Sequence, residues 1–576
     1  MRLHPETVIQ SYRASGAWGS TTIDDLFCAN AAARPGAMAI VDAPNRATLD
    51  GREPRRLTYA DYAAEVDLIA RRLLTLGLGK DSIVLIQMPN VVELVALMQA
   101  CGRIGAILSP TPMQYGAHEL RQILNTLEHV ACAFTVETFQ GKAQGERLSS
   151  ILGAIAPELP VVSLGHPAPD SGRIDIEGVA PVEPQALAAY RAAHPVDADE
   201  IFTICWTSGT TAEPKGVPRS HNNWIWHGRA VVETGNCGPG ETLMTPFPAV
   251  NMGGFGSALL PWWLTGGKLV LHHPFDLELY ASQIESEQVG VVLGAPAILT
   301  SLLKAEDILA RYDISCLHDA PSGSAPLTPW LITEFERRFG IQIINQFGSN
   351  EGTTLVASPA DVPDPTERAS YFSRIGVPGF RWNLTFAQFV ETRLVDPATD
   401  ETISEPGVPG ELLIRSPSIF PGYYRRPDLT ADALDERGFF RTGDLFEIAC
   451  NAAGDAVFYR FMGRAKELII RGGFNIAPPE IEAVVQGHPA VAEVAVVGYP
   501  DDRLGERVCV CAVLQPGASL SLDQVIDLFR QEDVAKFKWP ERLELFDSLP
   551  RNPIGKVLKR ELQRQIDEPA RHLGAA

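Results

Sequence analysis

Short apolar runs at 83–88, 268–271 and 291–293 alternate along the chain with stretches whose apolar positions recur every three to four residues, at 59–76, 276–288 and 330–339. Runs of the first kind read as buried strands and the second kind as amphipathic helices. Their alternation predicts an α/β fold with largely parallel, layered sheets. From about residue 393 the pattern changes to short strands separated by turn residues, as at 408–414 and 452–459, which predicts a β-rich subdomain. After Gly463-Arg464 the mixed rhythm returns: a strand at 468–470, the Gly472-Gly473 turn, a helix at 478–486, and strands at 494–498 and 508–514. The expected organisation is a large N-terminal domain over 1–462, with its β-rich part at 393–462, a hinge at 463–466, and a small mobile α+β domain over 467–576. The proline-bearing segment 165–184 reads as a surface loop.

Composition narrows the function. The 576 residues are 45% hydrophobic and carry a net charge of −21, which argues against a general binder of nucleic acid or anionic membrane. A polyanionic ligand must then be held by glycine turns, a few placed cations or a divalent metal. Nine scattered cysteines form no ligand knuckle, and Cys509 and Cys511 alternate as in a strand, so a cytoplasmic, reducing setting is expected. The opening residues carry no apolar leader, the run 258–264 is too short to span a bilayer, and Gly574-Ala575-Ala576 is no peroxisomal tripeptide.

Candidate chemistry begins after the apolar run 201–205. There Thr207-Ser208-Gly209-Thr210-Thr211-Ala212-Glu213-Pro214-Lys215-Gly216 packs hydroxyls, glycines and one lysine into ten positions. Hydroxyls and turn N–H groups can bond phosphate oxygens while the ammonium offsets charge. The Walker A spacing is absent. Further on come Pro321-Ser322-Gly323-Ser324-Ala325-Pro326-Leu327, then Gln346-Phe347-Gly348-Ser349-Asn350-Glu351-Gly352. The last three segments are Thr442-Gly443-Asp444, Gly463-Arg464-Ala465-Lys466, and Pro550-Arg551-Asn552-Pro553-Ile554-Gly555-Lys556.

In type and order these segments resemble the signatures of the adenylate-forming superfamily, the AMP-dependent acyl-CoA synthetases and aryl-acid AMP ligases. The sequence departs from the family pattern at Ala212, where glycine is usual, and at Phe347 and Asn350, which replace a tyrosine and a threonine. The resemblance implies an enzyme that uses ATP and Mg²⁺ to make an acyl-adenylate and then passes the acyl group to the thiol of CoA. It implies that Thr207 through Thr211 and Lys215 hold phosphates and that Glu351, with Thr207, holds the metal. Gly323, Ser324, Ala325, Gln346, Phe347 and Gly348 would line the adenine side, with Asn350 at the α-phosphate. Asp444 would take the ribose hydroxyls, Arg464 ribose or phosphate, and Lys556 would be catalytic beside Glu351 and Lys215, with Lys466 as the hinge. Gly472 and Gly473 would line the CoA tunnel. The acid would sit against His221, Asn251, Met252, Gly253, Gly254 and Gly294, where glycines leave volume and charges are few, so an apolar fatty, alicyclic or aromatic acid is expected.

Partners implied are the small-molecule acid, ATP and CoA, with no nucleic acid and no membrane insertion, in a monomer or homodimer of fatty-acid or lipid metabolism. The alternative acceptor is the phosphopantetheine of an acyl or aryl carrier protein, with an acid of the 2,3-dihydroxybenzoate or salicylate type. A nucleotide-binding relative without catalysis would not require Lys215, Glu351, Asp444, Arg464 and Lys556 together.

Overall fold

The computed structural model describes residues 1–567 apart from 209–212, 353, 378, 465–466, 472–473, 502, 533 and 553–555. It has a mixed α/β fold with a large N-terminal and a small C-terminal domain. By compactness the chain divides into two units. The first comprises Met1–Ala369, Ile375–Glu391 and Ile414–Phe440, and the second Ser370–Arg374, Thr392–Leu413 and Arg441–Ala576.

Two large sheets build the first unit. The seven-stranded sheet runs Pro214–Ser220, Ile201–Ser208, Ile107–Pro110, Ile83–Gln87, Val130–Val136, Val161–Leu164 and Ile174–Asp175. Its strands are parallel except at one edge, where β1 (Ile201–Ser208) turns back into β2 (Pro214–Ser220) as an antiparallel hairpin. The eight-stranded sheet has a parallel centre and an antiparallel strand at each edge. At one of those edges β3 (Gln342–Gly348) pairs with β4 (Thr354–Ala357). Strands covered on both faces must be apolar throughout, which is why 83–88 and 268–271 read as continuous runs.

Helices cover these faces. α1 (Tyr59–Thr75) opens with a reciprocal cap between Thr58 and Asp61 and buries Tyr62, Val66, Ile69 and Leu73 on one stripe. α2 (Val92–Ile104) is buried along its whole length and stops at Gly105, whose φ of +77° takes the left-handed turn. α3 (His221–Thr234) follows β2 directly, capped by Ser220 and Asn223. The segment 252–259 forms a π-helix, capped by Asn251, whose side chain accepts from the N–H groups of Gly253 and Gly254. Its wider turn follows neither the helical nor the strand repeat, so the sequence pattern gave no sign of it.

In the second unit β5 (Phe440–Ala449) pairs antiparallel with β6 (Phe458–Arg464), and Tyr371–Ser373 flanks β6. The strand expected at 452–459 begins only at Phe458. Asn451 accepts through Oδ1 from the N–H groups of Ala453 and Asp455, and Gly454 has a φ of +90°, so the preceding residues form a turn. Beyond it, β7 (Val491–Asp501) and β8 (Gly505–Leu514) form a long antiparallel pair packed by α4 (Pro478–Gln486) around Ile481, Val485, Val496 and Val510. All nine cysteines are free. Among the described residues no helix is long and apolar enough to cross a membrane.

Candidate active site

The hydroxyl-rich segment lies at the tip of the β1–β2 hairpin, where Thr207 faces Lys215 across the ladder. Gly209, Thr210 and Thr211 lie outside the described residues, as does the side chain of Ser208. Thr207 Oγ1 is buried and has no partner among the described residues. A hydroxyl so placed costs free energy unless a ligand completes it.

Lys215 projects from β2 toward a residue the sequence reading did not single out. Its Nζ lies 4.7 Å from the centre of the Tyr423 ring. The Tyr423 hydroxyl donates to Glu351 Oε1 at 2.8 Å. Burial, then the charge of Glu351, holds this phenol well above its ordinary pKa, so it stays a donor. Tyr423 is itself tied down, since its N–H donates to Thr430 Oγ1 at 2.9 Å and its ring meets Phe420 edge-on at 4.8 Å. One side chain thus touches the lysine of one motif and the carboxylate of another.

Glu351 is buried, and among the described residues it forms no ion pair. Its main-chain carbonyl accepts from Phe420 N–H at 2.9 Å, which fixes the loop after β3. Arg219, fully buried at the end of β2, clamps the same loop. It donates to Asn350 O at 3.0 Å and Ser418 Oγ at 2.9 Å, and its guanidinium lies 4.3 Å over the Trp224 ring. Burial pulls its pKa down to about 9, against the opposing influence of Cys205 and Glu351. Gly352 has a φ of +107°, and a Cβ there would run into Ser418 O. Only glycine lets the loop sit this close.

Asn350 uses both ends of its amide internally. Oδ1 accepts from Met252 N–H at 2.8 Å, tying the π-helix to the loop, and Nδ2 reaches Trp206 O at 3.4 Å. Of the four hydrogen bonds an amide can make, one on the NH₂ end remains for a ligand.

The adenine-side segment is one turn. Gly323 pairs with Gln346 in parallel register and a Cβ on it would run into Gln346 O. Ser324 has a φ of +72°, and Ser324 and Ala325 are exposed. Gly294 joins the same turn because Ser322 Oγ donates to its carbonyl at 2.9 Å. Phe347 and Gly348 lie opposite Leu355 and Thr354 in β4.

Two of the residues expected on the acid side make close contacts of their own. His221 is not free to meet a ligand through Nδ1, because that atom accepts from Ile23 N–H at 3.3 Å and the ring stacks 4.8 Å from Phe202. Burial lowers its pKa to about 4, so it is a neutral packing residue that anchors the helix at 23–33. Gly254 does not supply empty volume either: a Cβ there would drive into Pro248 O, so the backbone already fills the space. The histidine with an unspent atom is His227, one face further along α3. It is buried, its Nδ1 lies 3.5 Å from Thr354 Oγ1, and its Nε2 has no partner among the described residues. Burial lowers its pKa to about 3. No sequence signal marked it, since it sits in an apolar stretch with no motif spacing.

In the second unit, Asp444 and Arg464 face each other across β5 and β6, with Arg464 Nε 3.2 Å from Asp444 Oδ1. Thr442 Oγ1 accepts from Asp444 N–H at 3.1 Å and donates to Leu412 O at 2.7 Å, which holds the turn. Lys556 joins this group electrostatically. The residue is exposed along its length, but desolvation of its ammonium, then the Arg464 charge, pulls its pKa below the ordinary lysine value, while Glu467 and Asp444 oppose. Its N–H donates to Asn552 Oδ1 at 2.8 Å. Lys466, Gly472 and Gly473 lie outside the described residues.

Comparison with known proteins agrees with this geometry. Residues 27–424 match the AMP-binding enzyme family and residues 480–556 its C-terminal domain. The chain therefore belongs to the AMP-binding enzyme family, the adenylate-forming superfamily of AMP-forming acid–thiol ligases. It is 29% identical to the medium-chain fatty-acid–CoA ligase of Escherichia coli, over 96% of this chain and 92% of that protein. It is 30% identical to the indoleacetate–CoA ligase of Aromatoleum aromaticum, over 89% and 94%. Among solved structures it resembles ATP-bound MatB from Rhodopseudomonas palustris, with a TM-score of 0.75 and 25% identity over 95% of this chain and 99% of that one.

Proposed function

We propose that the protein is an ATP-dependent carboxylic acid–CoA ligase acting on an apolar fatty, alicyclic or aromatic acid. The observation that carries this reading is the assembly in which a half-buried Lys215 and the buried Tyr423 and Glu351 stand together, with the orphaned Thr207 hydroxyl opposite Lys215 in the ladder. A carboxylate and a hydroxyl, both oxygen donors and both lacking a cation, suit Mg²⁺. When bound, the metal would offset charge on the phosphate oxygens. Lys215 supplies a second positive charge to the same oxygens.

In the first step a carboxylate oxygen of the acid forms a bond to the α-phosphorus of ATP, the bond from that phosphorus to the bridging oxygen breaks, and pyrophosphate leaves. Lys556 is the ammonium we assign to the oxygens in transit, because a fixed donor there stabilises charge as it develops. Asp444 accepts from the ribose hydroxyls, and Arg464, released from Asp444 by them, contacts ribose or phosphate. In the second step the sulfur of CoA bonds to the acyl carbon, the carbon–oxygen bond to AMP breaks, and the thiol proton passes to solvent. Relatives named as CoA ligases support CoA as acceptor over a carrier protein. Relatives for both an aliphatic and an aromatic acid leave the acid's class broad.

The test is AMP formation from ATP across a panel of fatty, alicyclic and aromatic acids, with and without CoA. AMP release that needs both acid and CoA, and that falls on the order of a hundred- to a thousandfold in Lys556→Ala, supports the reading. Pyrophosphate release that ignores CoA would move the acceptor to a carrier protein. No turnover with any acid would remove the enzymatic reading.

A further inference from the structure

A half-buried ammonium and a buried carboxylate that meet the same side chain are close enough to be drawn into a pair. Lys215 and Glu351 are not paired: among the described residues no ion pair joins them, and each instead meets a different part of Tyr423. The ring face takes the ammonium and the hydroxyl takes one carboxylate oxygen. The Tyr423 backbone is anchored to Thr430, and Glu351's own carbonyl is anchored to Phe420 N–H, so neither partner of the hydroxyl bond drifts.

We infer that Tyr423 is a positioning residue that keeps Lys215 and Glu351 from neutralising each other, so that Glu351 keeps an oxygen for a divalent cation and Lys215 its charge for phosphate. This rests on the reading of the site as one for Mg²⁺ and ATP. The physical case is that a direct pair, with the carboxylate buried, would have to be broken before either group could bind its ligand. A cation held on a ring face is attracted enough to orient it but less strongly than by a direct ion pair with a buried carboxylate. The hydroxyl bond similarly orients the carboxylate without cancelling its charge. Tyr423 thus substitutes weak, directional contacts for a strong one.

Two substitutions separate the ring from the hydroxyl. Tyr423→Phe keeps the ring face and removes the donor; Tyr423→Leu removes both. Calorimetric titration of Mg²⁺ in the presence of a non-hydrolysable ATP analogue, and of that analogue without metal, reads the two effects independently of turnover. Tyr423→Phe is expected to weaken Mg²⁺ binding by about tenfold while metal-free analogue binding stays within about twofold of wild type. Tyr423→Leu is expected to weaken both, the analogue by about three- to tenfold. A structure of Tyr423→Leu should show Lys215 Nζ and a Glu351 carboxylate oxygen in direct contact. The inference is overturned if Tyr423→Phe titrates with Mg²⁺ like wild type, or if Lys215 and Glu351 stay apart in Tyr423→Leu. Should Tyr423→Leu fail to fold, the Tyr423→Phe titration decides alone. If wild type binds the analogue with Mg²⁺ and Tyr423→Phe matches it, only the role of Tyr423 falls; if wild type binds neither, the reading of the site falls with it.

Discussion

The two units handle opposite charges in opposite ways. In the first, a half-buried Lys215 and a buried Glu351 each meet Tyr423 rather than each other, and a buried cation, Arg219, clamps the loop. In the second, Asp444 and Arg464 pair directly across two strands, and the arginine side chain keeps 38% of its surface in water. Buried charge that is prevented from pairing is costly, and a fold bears that cost where a ligand will supply the missing partner. A pair whose arginine is partly open to water, though its aspartate is buried, costs less and exchanges partners more readily than one buried on both sides. The first unit's opposite charges are therefore held apart before any ligand binds, whereas the second unit's are spent on each other.

The sharpest way to break this contrast is Arg219→Met. If the guanidinium serves the site at the fold's expense, acyl-adenylate formation should fall by about ten- to a hundredfold while the melting temperature stays level or rises. A large fall in melting temperature with unchanged rate would make Arg219 merely structural. Next in size is the acid sensitivity of the first unit. His227 is neutral in the fold, with its pKa lowered from 6.5 to about 3. The unfolded chain binds the proton first, so this contribution to stability is present above about pH 6.5 and is lost as pH falls toward 3. The slope is roughly 1.4 kcal/mol per pH unit, and His227→Gln should flatten the stability–pH curve by that amount over pH 6 to 4. An unchanged curve would show that His227 is protonated in the fold. The smallest effect belongs to the second unit: a double-mutant cycle on Asp444→Asn and Arg464→Gln, read by unfolding without ligand, should give a coupling of about 0.2–1 kcal/mol. A coupling several times larger would mean that the pair is as fixed as the first unit's network.

The sequence reading reached these places unevenly. Alternating apolar runs and helical stripes are local signals, and they marked strands such as 268–271 and the helix at 59–75 because covered strands and amphipathic helices need those residues in that order. Thr207 and Lys215 fall in one ten-residue segment, and the family resemblance assigned both Asp444 and Arg464 to the nucleotide; in the structure each pair faces across a single ladder. Tyr423 carried no such signal, since its importance lies in touching residues 208 and 72 positions away in sequence. Arg219 and His227 belong to no motif given a role in the sequence, and only their burial shows that their polar atoms have to be accounted for. His221, by contrast, was picked by its neighbours in sequence and is spent on Ile23 and Phe202.

The π-helix tied to Asn350 also sets how this stretch of the chain can diverge. Met252, at its first position, is an unbranched side chain that adapts to new neighbours, whereas Gly254, two positions later, has a backbone carbonyl where any side chain would begin. Sequence variation along this π-helix is therefore channelled: drift or selection can rewrite position 252 gradually, while position 254 can change only together with the path of the chain at Pro248.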